Sequence, residues 1–238
     1  MVKPGRAIGP ADWTGRRREK LTWARPSTKH GPVSQTAEVP DAAARGAKRR
    51  LESRKRLLAA ARKLFVARGY HATRPQDISK AAELGHGTFY LHFKDKRECF
   101  LAFVDEARAE LDAFVMARVS GAKNLSQMVE AALTAIYDYA EENPGVLATA
   151  MADDAVISAG DPTQSTLMER WGEEWGELLR LQAKQGMVAK DYDVAMVGQA
   201  IVGAIHQASS YSFRRGRSRA GLIKTLTHFF VRALTPKG

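Results

Sequence analysis

The stretch Arg74–Phe93, RPQDISKAAELGHGTFYLHF, constrains this chain more than any other. It reads as a short helix, a tight turn and a second short helix. Pro75 suits the first turn of a helix, where its missing N–H costs nothing. Ile78, Ala81 and Ala82 give that helix its apolar side, and Leu84 can plug the turn. Gly85 and Gly87 flank His86, permitting a sharp bend and close approach of backbone to a partner. Phe89 and Phe93, four residues apart, tie the second helix to a core. His86, Thr88, Tyr90, Leu91 and His92 are left to point elsewhere. They are hydrogen-bonding and aromatic groups of the kind that reach nucleic acid.

Helical spacing governs the flanks too. From about residue 47 to Gly69, Leu57, Leu58, Ala61, Leu64 and Phe65 fall on one face, and Gly69 sits where a helix C-cap belongs. Arg49, Arg50, Arg54, Lys55 and Arg56 crowd the start of that helix, against the unfavourable end of its dipole, which argues for a compensating external anion. Asp95 is a good N-cap for a helix reaching about Val119. Further helices are expected at about 124–141, at 144–157, from a loop at 159–162 to about Gln185, at 191–213 and at 217–234. No stretch alternates as a strand does, so the fold class is all-α.

The formal charge of +11 suggests a polyanionic partner. It is concentrated: residues 1–56 hold fifteen Lys/Arg against five Asp/Glu, and the remainder holds twenty-two against twenty-one. Residues 1–45 are rich in Pro, Gly, Arg, Ser and Thr without periodicity, and are expected to form a disordered basic arm. Trp13 and Trp23 have no account within it. The arm either is inert or touches DNA beside the main site. Cys99 is the one cysteine, so no intrachain disulfide forms, in keeping with a reducing cytoplasm. No apolar run is long enough to span a membrane. The triplet Arg16-Arg17-Arg18 lacks the apolar stretch of an export signal behind it. Cytoplasmic, nucleoid-associated localisation is the expectation.

The residues Ala60-Ala61, Leu64-Phe65, Gly69-Tyr70, Thr73, Asp77-Ile78, Ala81-Ala82, Gly87-Thr88-Phe89-Tyr90, His92-Phe93 and Lys96 together resemble the N-terminal domain of the TetR family of bacterial transcriptional regulators. The resemblance covers about residues 53–106. It implies a three-helix helix-turn-helix domain over 46–96, followed by a larger helical effector-binding and dimerisation domain over 97–238. It also implies a homodimer formed by the last two helices, about 191–213 and 217–234. Gly198, Ala200, Gly203, Ala204 and Ala208 on the first of these would permit close helix approach, and Leu222, Leu226, Phe229, Phe230 and Ala233 on the second would pack; ordinary intrachain packing is the alternative. Two positions depart from the family. Glu83 stands where Gly is usual and Gly85 where Ser is usual, so either Glu83 takes the strained turn conformation or Gly85 absorbs the bend.

Bidentate reading of guanine or adenine calls for Arg, Asn or Gln, and none lies between Gly85 and Phe93. Base discrimination is therefore expected from His86, Thr88 and Leu91, with Arg74 and Gln76 of the preceding helix and close backbone approach at Gly85. Tyr90, His92 and Lys96 sit where the family commonly contacts phosphate, which positions without specifying. Candidate effector-binding residues are Tyr137, Met151, Trp171, Trp175, His206 and Tyr211, with Tyr139 beside them; each also suits a plain core. No phosphate loop, nucleophile motif, paired histidine or cysteine cluster is present. No catalytic residue, metal site or cofactor is expected. The expected function is a dimeric repressor that binds a palindromic duplex-DNA operator and is released by a small-molecule effector. The alternatives are an architectural or division-linked DNA-binding protein without inducer, and a helical enzyme or binding protein with a vestigial helix-turn-helix.

Overall fold

The computed structural model describes residues 42–152 and 165–236. Most of the expected basic arm, with Trp13 and Trp23, lies outside the described residues. So do the loop at 159–162 and the end of the helix expected to reach 157. The described residues are helical and contain no strand.

The first helix, α1, spans Ala42–Ala72. It begins inside the expected arm, so residues 42–45 are helix. Residues 44–52 are exposed, whereas Leu57, Leu58, Ala61 and Phe65 are buried on one face. Gly69, at φ 77°, breaks the helix, and Thr73 Oγ1 donates to the Gly69 carbonyl at 2.8 Å. Then come α2 (Pro75–Ala81), α3 (His86–Tyr90) and α4 (Lys96–Val119). Asp95 caps α4 by accepting from Glu98 N at 2.8 Å, and the Glu98 carboxylate accepts from Lys94 N at 2.5 Å. The first bond satisfies a donor that the first helical turn leaves free, and the second ties the residue before the cap to that turn.

The longer part comprises α5 (Leu125–Glu142), α6 (Val146–Met151), α7 (Leu167–Lys184), α8 (Val194–Arg214) and α9 (Arg219–Leu234). Asn124, Thr166, Asp193 and Ser218 cap four of these helices with their side chains. Gly172 and Gly176 of α7 face Gly198 of α8 so closely that a Cβ on Gly198 would run into the Gly172 carbonyl oxygen. Gly198, expected to serve helix approach across a dimer, therefore serves an intrachain contact. Gly203 stays exposed with open space around it.

Two main cores result. One holds Phe65, Ile78, Phe89, Phe93, Phe100 and Phe103, and continues along α4 to Ala107, beyond residue 96. Cys99 is fully buried in it, and burial pushes its thiol up to about 12. The other gathers α5, α7, α8 and α9 around Leu133, Leu179, Ile201, Leu226 and Phe230. Between them stands a polar node. Arg62 of α1 donates to both Glu110 oxygens at 2.7 and 2.8 Å and to Asn143 Oδ1 at 3.1 Å, while Tyr139 OH donates to Glu110 at 2.7 Å. Beside it, Gly145 lies where a Cβ would come within 2.8 Å of Val66.

Candidate nucleic-acid interface and effector cavity

The turn between α2 and α3 resolves the two readings of Glu83 and Gly85. Glu83 takes φ 55°, whereas Gly85 is extended, with φ −60° and ψ 145°, at the N-cap of α3. Left-handed backbone costs a residue with a Cβ about 1–2 kcal/mol. Arg56 of α1 helps to hold it: its guanidinium donates to the Ala82 carbonyl at 2.5 Å and the Glu83 carbonyl at 3.3 Å, and lies 3.6 Å from the Glu83 carboxylate. A cation at the C-terminal end of α2 also complements the dipole of that helix.

Nearby arginines act in the same way. Arg50 donates to the Leu91 carbonyl at 3.3 Å, and the Arg54 guanidinium sits 5.1 Å from the centre of the Phe93 ring. The expectation that an external anion compensates all of this charge needs correcting, because Arg50, Arg54 and Arg56 are struts between α1 and the two short helices. Arg49 and Lys55 are exposed on the same helix.

On this frame Arg74, Gln76, Gly85, His86, Tyr90 and Leu91 are exposed together around α2 and α3, and Thr88 is half-buried. Tyr90 and Leu91 are the most prominent, at 51% and 67% exposure, and the His86 ring meets Tyr90 edge-on. His92 and Lys96 are placed differently. His92 Nε2 lies 2.7 Å from Ser53 Oγ, and burial, helped by Arg50 and Arg54, lowers the pKa of the imidazole. Lys96 Nζ donates to the Tyr70 carbonyl at 2.9 Å and rests over the Tyr70 ring. Both residues lock the ends of α1 and α3 into the domain.

The second site is a cavity of about 820 Å³ lined by α4, α5, α6, α7 and α8. Tyr137, Met151, Trp171, Trp175 and His206 all line it, which brings together five of the six effector candidates. Tyr211 does not; it is exposed, with the Arg217 guanidinium over its ring. Tyr139 is buried in the polar node instead. Sequence reasoning missed Asp112 and Glu174, which line the cavity wall. Arg108 spans them, 3.3 Å from Asp112 and 2.5 Å from Glu174. Burial and the neighbouring Glu174 carboxylate hold Asp112 up at about 6. Only the i, i+4 spacing of Arg108 and Asp112 hinted at this group; Glu174 arrives through tertiary packing.

The family profile described as "Bacterial regulatory proteins, tetR family" matches residues 57–103, which are the helices just described. The chain belongs to the TetR family. Beyond the matched helices, this TetR-family chain is 22% identical over 196 residues to a Bacillus subtilis protein named as the uncharacterized HTH-type transcriptional regulator YdgC. The match covers 79% of this chain and 95% of the relative. The HTH-type transcriptional activator FasR of Mycolicibacterium smegmatis is 33% identical over 92 residues, covering 39% of this chain and 42% of FasR. A solved TetR-family structure from Rhodococcus sp. superposes with a TM-score of 0.66 at 16% identity, over 78% of this chain and all of that one. The TetR-family chain is accordingly a DNA-binding transcriptional regulator. Among the described residues no helix is long and apolar enough to cross a membrane, and no group of three His, Cys, Asp or Glu is placed to hold a metal ion.

Proposed function

We propose that this regulator is a homodimeric repressor that binds a palindromic operator and is released by a small molecule held in the 820 Å³ cavity. The observation that carries the reading is the cavity's position. Leu147 and Met151 of α6 line it, and α6 follows the Asn143–Gly145 corner that grips α1 through Arg62 and Val66. A ligand that displaces α6 acts on the root of the DNA-binding helices. It shifts the equilibrium only as far as its affinity for the two arrangements differs.

Arg74, Gln76, Gly85, His86, Thr88 and Leu91 read bases, and Tyr90 contacts phosphate. His92 and Lys96 position the interface through the contacts described above. Two copies, joined through α8 and α9, present their α3 helices to half-sites about 34–36 Å apart. Exposed Met196, Phe213 and Phe229 on those two helices support this pairing. The protein works in the cytoplasm, on the nucleoid.

A gel shift with the DNA flanking its own gene, paired with a transcriptional reporter, tests the proposal. The expected result is one salt-sensitive complex on a palindromic fragment and lowered reporter output. Binding of all sequences alike points to an architectural role, and raised output to activation. Absence of binding at low salt removes the DNA-based reading.

A further inference from the structure

We infer that the cavity is built for an aromatic lipophilic cation, a protonated amine or an onium ion, and not for a carboxylate or other anion. The inference rests on the reading of this cavity as the effector site, and it names the chemical class of that effector.

The lining decides the sign of charge. Among the described residues that line it, the acidic side chains are Asp112 and Glu174, and there is no lysine or arginine. Arg108, which is not part of the lining, is shared by both carboxylates. One guanidinium facing two carboxylates leaves one negative charge at the wall when both are ionised. The rest of the wall is mostly carbon, including Met116, Met128, Met168 and Leu178. The two carboxylates are 36% and 42% exposed, so solvent screens their charge in part; what remains attracts an entering cation and repels an entering anion.

Hydrogen-bonding polarity points the same way. Ser209 Oγ donates to the Ile205 carbonyl at 2.5 Å, so at the 2.6 Å contact between the two hydroxyls Tyr137 donates and Ser209 accepts. Both protons are committed within the protein, and the oxygens offer lone pairs to the cavity. At this pair of hydroxyls the lone pairs suit an N–H⁺ donor and give a carboxylate nothing to accept, whereas the indole N–H of Trp171 in the lining is buried without a partner. Trp171, Trp175 and Tyr137 add aromatic rings, whose electron-rich faces attract a desolvated cation.

The test uses two nearly isosteric ions of opposite sign, tetraphenylphosphonium and tetraphenylborate. Each competes with the neutral fluorophore N-phenyl-1-naphthylamine for the full-length protein, so that displacement reports the cavity and not the basic N-terminal segment. The phosphonium should displace the fluorophore at a concentration lower by at least about tenfold, as expected for one partly screened charge at a half-exposed site. Asp112→Asn with Glu174→Gln should bring the two concentrations together. Should that double variant fail to fold, the order found with the wild type decides alone. Equal or reversed displacement by the borate overturns the charge assignment while leaving the cavity as a ligand site. Failure of the wild type to take up the fluorophore, or uptake undiminished when Ala148→Trp fills the cavity, overturns the effector site and the inference together.

Discussion

Arg56 shows how a charge on an exposed helix can belong to the inside of a motif. Its guanidinium joins α1 to the carbonyls that end α2, at the one non-glycine residue with positive φ among those described. Arg56→Met keeps the stem and removes the donors. It should lower stability by about 1–2 kcal/mol in a urea melt, the range for hydrogen bonds to a charged donor at a half-exposed site. Operator affinity should fall with it, because α3 loses its anchorage. Unchanged stability would show the clamp to be idle. Asp112 makes a prediction about pH. Its folded value of about 6 exceeds the usual value near 3.9, so between the two the folded chain holds more proton than the unfolded one. Stability from this group is present below about pH 4 and lost as pH rises towards 6. The side chain is 36% exposed and solvent screens it, so the loss is on the order of 1 kcal/mol. Asp112→Asn should flatten the stability profile across that window in thermal melts and make the protein more stable at pH 7.

The elements pack at distances that single atoms set. Gly198→Ala places a methyl group against the backbone of α7, where no flexible side chain can move aside. Overpacking of that kind costs about 1–3 kcal/mol, so the melting temperature should fall by several degrees, whereas Gly203→Ala, with open space around it, should be nearly silent. The helices themselves were legible because their signals are local. Pro75 at a first turn, the Asp95 cap, Gly69 and Gly186 at positive φ, and the apolar spacing from Leu57 to Phe65 all act within one or two turns. What escaped is what depends on partners distant in sequence. The basic run at 49–56 called for an external anion because nothing nearby in sequence showed carbonyls and a ring arriving from residues 82–93. The cavity's aromatics could be guessed from helical spacing, since core and cavity wall share a composition. Glu174 beside Asp112 could not be, because 62 residues separate them.

At the scale of the whole molecule, α4 and the Arg62 node connect the DNA-binding core to the core formed by α5, α7, α8 and α9. Glu110 receives two bonds from Arg62 and one from Tyr139, and burial together with Glu110 pushes the Tyr139 hydroxyl up to about 12. Cutting the node strands a half-buried carboxylate between two packed regions. Arg62→Met should therefore destabilise the junction more than either core, and the single calorimetric transition expected of the wild type should broaden or split. A variant that still melts in one sharp transition would place the coupling in α4 alone. The same substitution is expected to blunt the response of operator binding to any cavity ligand, which links the mechanical role of the node to regulation.

Cys99 supplies an internal clock for these motions. It is the only thiol in the chain, is wholly enclosed by the DNA-binding core, and ionises only near pH 12 while the core is closed. A thiol reagent can reach it only when α1 and α4 part, so the rate of labelling counts openings of that core and ignores those of the other. Operator DNA should slow the clock, since it binds the closed arrangement. A cavity ligand that releases DNA by loosening the root of α1 should quicken it; one that swings the domain as a rigid body should leave it unchanged.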